Sequence, residues 1–154
     1  MKYLQLLADN KLFSAAVCGW AAAQIIKTLI DLMLNKKLSL ERLVGSGGMP
    51  SAHSATVCAL STAAGMIYGL DSPIFAVSAI IAIIVMYDAR GVRRETGTQA
   101  EVLNKIMHYF SSEHPEKITF DQEKLKEFIG HTPLQVTVGG LLGITVAVIF
   151  CLFL

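Results

Sequence analysis

Charged residues are missing from three long stretches of the chain: Leu43 to Leu70, Ser72 to Tyr87 and Phe128 to Leu154. A further apolar stretch lies near the N-terminus, broken only by isolated polar side chains. A helix that crosses a bilayer needs roughly 20 mostly apolar residues and satisfies every peptide group internally. The pattern therefore predicts four spans, near 13–34, 52–70, 73–88 and 133–154. The third is short and the second is rich in Ser, Thr and Gly, so both belong inside a bundle where small residues allow helices to approach closely. The expected fold is an all-α polytopic membrane helix bundle with about four transmembrane helices, and residues 1–154 form one domain.

Between the third and fourth spans lies the one long polar region, Asp88 to His131, with two helical patterns. Gln99, Val102, Leu103, Ile106 and Phe110 recur at helical spacing, which predicts that the third span continues out of the bilayer as an amphipathic helix. Thr119-x-x-Gln122 is a capping box opening a short helix with Leu125, Phe128 and Ile129 on one side and Gly130 at its end. Both apolar faces are expected to rest on the membrane surface or on the bundle. A secretory signal peptide competes for the first span, because Lys2 and Lys11 precede an apolar run ending near Ala21-Ala22-Ala23. Against it, the apolar character continues to Leu34.

Composition agrees with a membrane protein: 53% of the 154 residues are apolar and 16% charged, with a mean hydropathy of +0.54. Thirteen basic and 12 acidic residues leave a formal charge of +1, which excludes the basic field of a nucleic-acid binder. Cys18, Cys58 and Cys151 stand singly in apolar stretches and read as buried packing thiols. Four spans place Lys36, Lys37, Arg42, Arg90, Arg93, Arg94, Lys105, Lys117, Lys124 and Lys126 on one side, against Lys2 and Lys11 on the other. The positive-inside bias assigns the cation-rich side to the cytoplasm of a multi-pass cell-membrane protein.

Three unusual segments fall on that same side. Gly47-Gly48-Met49-Pro50-Ser51-Ala52-His53-Ser54 opens the second span, Asp88-Ala89-Arg90-Gly91-Val92-Arg93-Arg94 closes the third, and Gly130-His131-Thr132-Pro133 opens the fourth. Two of them are helix N-termini, where backbone N–H groups and the positive dipole end favour an anion, and each carries a histidine. The third supplies arginines. Such parts suit a phosphate-handling site. Within the first span, Gln24, Lys27 and Asp31 share a helix face, and ionisable groups inside a span normally face a bundle interior or wet cavity. Lys27 can serve the same site, or it can simply neutralise Asp31. His108 and His114 lie in the polar connection without such company and read as solvent-facing.

The segments GGMPSAHSA, VMYDARGVRR and GHTPLQVTVGGLLG resemble the divergent membrane branch of the type 2 phosphatidic acid phosphatase and vanadium haloperoxidase superfamily, over about Gln24 to Gly143. The resemblance implies that Lys27 stands for the first motif's lysine, Pro50-Ser51-Ala52-His53 for the second motif, and His131 for the last motif's histidine. The chain departs from the wider pattern in four places. No Arg-Pro follows Lys27, Ala52 replaces a glycine, Leu125 stands where the last arginine would be, and Gln135 replaces an aspartate. The Asp88–Arg94 segment is the substitute source of arginine, with Arg93 first and Arg90 and Arg94 behind it.

The resemblance implies hydrolysis of a lipid phosphate or a polyprenyl (di)phosphate through a phosphohistidine. In this scheme His131 attacks phosphorus, His53 protonates the leaving oxygen and then activates water, and Lys27, Arg93 and Ser51 hold the phosphoryl oxygens. No cofactor or metal is required. His131 needs an orienting partner, and either Asp88 or Gln135 can provide it, although Thr132-x-x-Gln135 with Pro133 also reads as a capping box. The competing function is a weakly active or inactive anion-binding membrane protein on the same scaffold, suggested by the missing aspartate and arginine. A homodimer is a further expectation, because so small a bundle has little room to enclose a long tail.

Overall fold

A computed structural model describes residues 2–35, 48–113 and 131–153. The helix expected from the capping box at Thr119 lies outside the described residues, as do Lys36, Lys37, Arg42, His114, Leu125 and the cations Lys117, Lys124 and Lys126. Six helices are present among the described residues: α1 (Lys2–Ala8), α2 (Lys11–Asn35), α3 (Ala52–Tyr68), α4 (Pro73–Arg90), α5 (Val92–Glu113) and α6 (Pro133–Phe153). The four predicted spans correspond to α2, α3, α4 and α6. The short α1 was not legible as a separate helix; the chain breaks at Asp9-Asn10, and the Asn10 side-chain oxygen accepts the Phe13 N–H at 3.1 Å to start α2.

The third span does not run smoothly into the amphipathic helix. Gly91 interrupts it: its N–H closes α4 on the Tyr87 carbonyl at 2.9 Å, and its own carbonyl accepts the Glu95 N–H of α5 at 3.1 Å. At the opposite end of the bundle α3 stops at Gly69, whose φ of 90° suits only glycine at low cost. Ser72 then caps α4 by accepting the Phe75 N–H at 3.2 Å, with Pro73 in the first helical position.

α2, the run from Pro73 through α5, and α6 are long and apolar enough to cross a membrane. α3, at 17 residues, is shorter, yet it rises about 25 Å and spans the bundle between the turn at Gly69 and the site at Ser51. It is also the central helix, packing against α2, α4 and α6, while α2 and α4 do not touch among the described residues. Small residues make this possible. Ala15, Ala59, Ala63 and Ala147 form one fully buried cluster, and Ala23, Ala52 and Ala55 another. Gly139 and Gly143 bring α6 against the α3 backbone so closely that an added Cβ would collide with the Ser51 and Ala55 carbonyl oxygens. Gly19 does the same from α2, where a Cβ would lie 2.8 Å from the Ala59 methyl.

The large apolar side chains point the other way, and the cysteines are not the buried thiols expected: Cys18 is exposed, and Cys58 and Cys151 are half-buried, because alanine and glycine fill the close helix contacts. Val77, Ile80, Ile83 and Ile84 on α4, and Leu141, Ile144, Ile149 and Leu152 on α6, are exposed at the outer surface. A continuous apolar exterior around a core of alanine and glycine inverts the soluble-protein arrangement and fits a hydrocarbon solvent. The chain is an all-α membrane helix bundle.

Candidate functional site

Two backbone hydrogen bonds and one close side-chain approach gather the site at one end of the bundle. The Ser51 N–H donates to the Gln135 carbonyl at 3.1 Å, joining the start of α3 to the first turn of α6. The His131 N–H donates to the Ala89 carbonyl at 3.1 Å, joining the segment before α6 to the last turn of α4. On the α2 side, Gly48 has a φ of +80° and lies under the Lys27 stem, which an added Cβ would approach to 3.5 Å. The three polar segments converge because antiparallel helices return their ends to the same level.

Ser51 takes an extended conformation at the N-cap of α3, and its hydroxyl oxygen accepts the Ser54 N–H at 3.4 Å. A hydroxyl acting as acceptor keeps its own proton to give to an anion. The residue is fully buried. His53 follows two positions on, and its ring meets the His131 ring with centroids 6.0 Å apart at an interplanar angle of 62°. His131 itself is only 4% exposed, as is Lys27, although the latter is a charged side chain in a predominantly apolar helix. Burial of an ammonium costs several kcal/mol unless negative charge or strong acceptors compensate it, so its head belongs to a polar interior. Gln24, one turn before Lys27, is buried as well.

Gln135 contacts both groups that the two sequence readings offered it, the Thr132 cap and the His131 ring. Its side-chain oxygen accepts the Thr132 N–H at 3.0 Å and lies 3.2 Å from His131 Nδ1, while its own N–H donates to the Thr132 hydroxyl at 3.3 Å. The reciprocal Thr132–Gln135 bonds are the expected capping box. Asp88, the other orienting candidate, is half-buried in the last turn of α4, one residue before the Ala89 carbonyl that takes the His131 N–H.

The arginine candidates separate. Arg90 is exposed and lines a polar cleft with Tyr87, Gly91, Glu95 and Thr98 at the elbow between α4 and α5. Arg93 and Arg94 belong to the first turn of α5, but their side chains lie outside the described residues. Sequence reasoning passed over Ser54, whose hydroxyl oxygen is fully buried without a hydrogen-bond partner among the described residues. Its only signal in the sequence was its place beside His53 in a polar run opening an apolar helix.

Residues 8–146 match a family described as the Divergent PAP2 family. A curated relative, the uncharacterized membrane protein YuiD of Bacillus subtilis (strain 168), is 43% identical over 157 residues, covering 97% of this chain and 99% of that protein. No solved structure matches the chain.

Proposed function

From the premise that this chain belongs to the Divergent PAP2 family, we propose that it is a membrane-embedded phosphatase acting on a lipid phosphate or polyprenyl (di)phosphate through a phosphohistidine. The observation that carries the proposal is the pairing of the buried His131 with the half-buried His53, ring centroids 6.0 Å apart, beside the N-terminus of α3. A phosphoryl group between the two rings would have Ser51 and the α3 dipole on one side and the Lys27 ammonium on another.

A ring nitrogen of His131 bonds to phosphorus as the bond from phosphorus to the leaving oxygen breaks. Protonated His53 gives its proton to that oxygen, and the neutral alcohol or phosphate departs. Water then attacks the phosphohistidine and loses a proton to His53. The phosphorus–nitrogen bond breaks, inorganic phosphate leaves, and both imidazoles return to their starting states. The two histidines need opposite protonation at the first step, which imidazoles can hold near neutral pH. Lys27, Ser51 and Arg93 stabilise the equatorial oxygens in this scheme, which calls on no cofactor.

The open side of α3 supports a lipid substrate. Between α2 and α4, which do not touch, Leu12, Leu60, Val77 and Ile81 line an apolar groove. Leu60 stands seven residues, about 10 Å, below His53 on the same helix face. An acyl or isoprenoid chain could occupy this groove from the bilayer while its phosphate reached the histidines.

The test is phosphate release by purified protein in detergent from a panel of lipid phosphates, with vanadate as inhibitor. Turnover is expected to disappear in His131→Ala while the helical signal and melting transition persist. Full activity in His131→Ala would overturn the phosphohistidine scheme. Phosphate binding without turnover on any substrate would instead favour an anion-binding scaffold. Single cysteines introduced at Lys36 and Asp71, in a background lacking Cys18, Cys58 and Cys151, test the proposed cytoplasmic orientation: an impermeant thiol reagent should reach position 71 in intact cells and position 36 only after lysis.

A further inference from the structure

The acceptor beside His131 Nδ1 can be identified chemically. An amide side chain can present either its oxygen or its nitrogen, and the two are easily interchanged in a structure. Here the same atom faces the Thr132 backbone N–H at 3.0 Å and His131 Nδ1 at 3.2 Å. A backbone N–H can only donate, so the atom between them must be the oxygen. That oxygen can only accept, which requires a proton on His131 Nδ1. The neutral ring then carries its lone pair on Nε2.

We infer that Gln135 is the positioning residue for His131: it locks the Nδ1–H tautomer, presents Nε2 to the site, and does so with a neutral group where related phosphatases are expected to use a carboxylate. The role of Nε2 as the attacking atom rests on the phosphohistidine reading above; the tautomer does not. Fusing cap and orienter gives the arrangement its rigidity. Because Gln135 is held by Thr132 at both its backbone N–H and its side-chain oxygen, its amide is fixed before any substrate arrives. His131 is fixed in turn through its own N–H on Ala89. A neutral orienter also changes the acid–base balance. A carboxylate on Nδ1 favours the imidazolium, which cannot attack phosphorus, whereas an amide oxygen binds the neutral ring without adding a charge.

The experiment combines nitrogen NMR of the imidazoles with phosphate release, using full-length protein in detergent. The His131 signal is identified by its absence from His131→Gln. Wild type is expected to show Nδ1–H and unprotonated Nε2 at the pH where the ring is neutral. Gln135→Met keeps the side-chain length and removes the acceptor. It should lose the Nδ1–H preference and reduce turnover roughly 10- to 100-fold, the usual effect of removing an orienting partner. Gln135→Glu restores both the cap and the acceptor. It should keep the Nδ1–H tautomer, recover most of the turnover, and move the acidic limb of the pH–rate profile to higher pH.

The other titratable groups on the elements that meet near His131 include His53 on α3, Lys27 and Asp31 on α2, Tyr87, Asp88 and Arg90 on α4, and Arg93, Arg94 and Glu95 in the first turn of α5. All are unchanged between Gln135→Met and Gln135→Glu, so the difference reads the new carboxylate. Asp88→Asn should leave the tautomer as in wild type. An Nε2–H tautomer in wild type, an unchanged tautomer in Gln135→Met, or a switch caused by Asp88→Asn would each overturn the inference. If wild type releases no phosphate from any substrate, the phosphatase reading fails while the tautomer measurement still decides the role of Gln135.

Discussion

Lys27 is a cationic residue at 4% exposure, its stem packed beside Gly48, and a charge so buried needs polar partners. Lys27→Met should weaken vanadate inhibition by about 10- to 100-fold, since a hydrogen bond from a charged donor contributes roughly 1.5–3 kcal/mol. Inhibition curves at fixed substrate would measure it. His53 serves a different step. His53→Ala should slow release of an alkyl or polyprenyl leaving group by about 10²- to 10⁴-fold, but affect para-nitrophenyl phosphate much less, because nitrophenolate departs without a proton. Equal losses on both substrates would assign His53 to something other than proton donation. The histidines, Lys27 and Ser51 were legible in the chain because polar groups stand out in apolar stretches. Ser54 was not, because a serine is common near a helix start and only its burial distinguishes it.

Among the elements, α3 and α6 depend most on the absence of side chains. An added Cβ at Gly139 or Gly143 would strike a backbone carbonyl of α3, whereas one at Gly140 would meet the Cys58 sulfur at 3.4 Å and the Met86 methyl at 3.5 Å, both ordinary contacts. Gly139→Ala and Gly143→Ala should therefore cost about 1–3 kcal/mol each, while Gly140→Ala is tolerated. Thermal melting in a single detergent would show the contrast. Gly139→Ala should also reduce turnover, since the displaced contact is Ser51 itself. On the exposed face of α5 the Lys105–Glu101 pair, 2.7 Å apart, lowers the Glu101 pKa through that hydrogen bond and the lysine charge. Water screens it, so Lys105→Gln should leave the melting temperature unchanged. Helix positions followed from charge gaps and caps. The break at Gly91 and the start of α2 at Asn10 depended on local backbone bonds that a period of 3.6 residues does not encode.

At the scale of the molecule, an apolar groove runs between α2 and α4, and the proposed function assigns it to the lipid tail. Replacing Val77 or Leu60 by Trp should fill the groove and lower turnover of long-chain lipid phosphates at least tenfold relative to a short soluble phosphate ester. A parallel loss on both substrates would show that the groove carries no tail. The chain by itself determined the solvent, the helical architecture and the identity of the polar groups, because a bilayer excludes unpaired charge and penalises every exposed peptide group. It also determined that three polar segments share one end, since successive spans must alternate in direction. Tertiary structure alone decided which of those groups meet: it set the histidine rings 6.0 Å apart, placed Arg90 in a cleft with Tyr87, Gly91, Glu95 and Thr98, and brought the Gln135 side-chain oxygen to both the Thr132 N–H and His131 Nδ1. Such outcomes depend on the rotation of each helix about its axis and on how closely glycines let backbones approach, and one residue of rotation moves a side chain by about 100°.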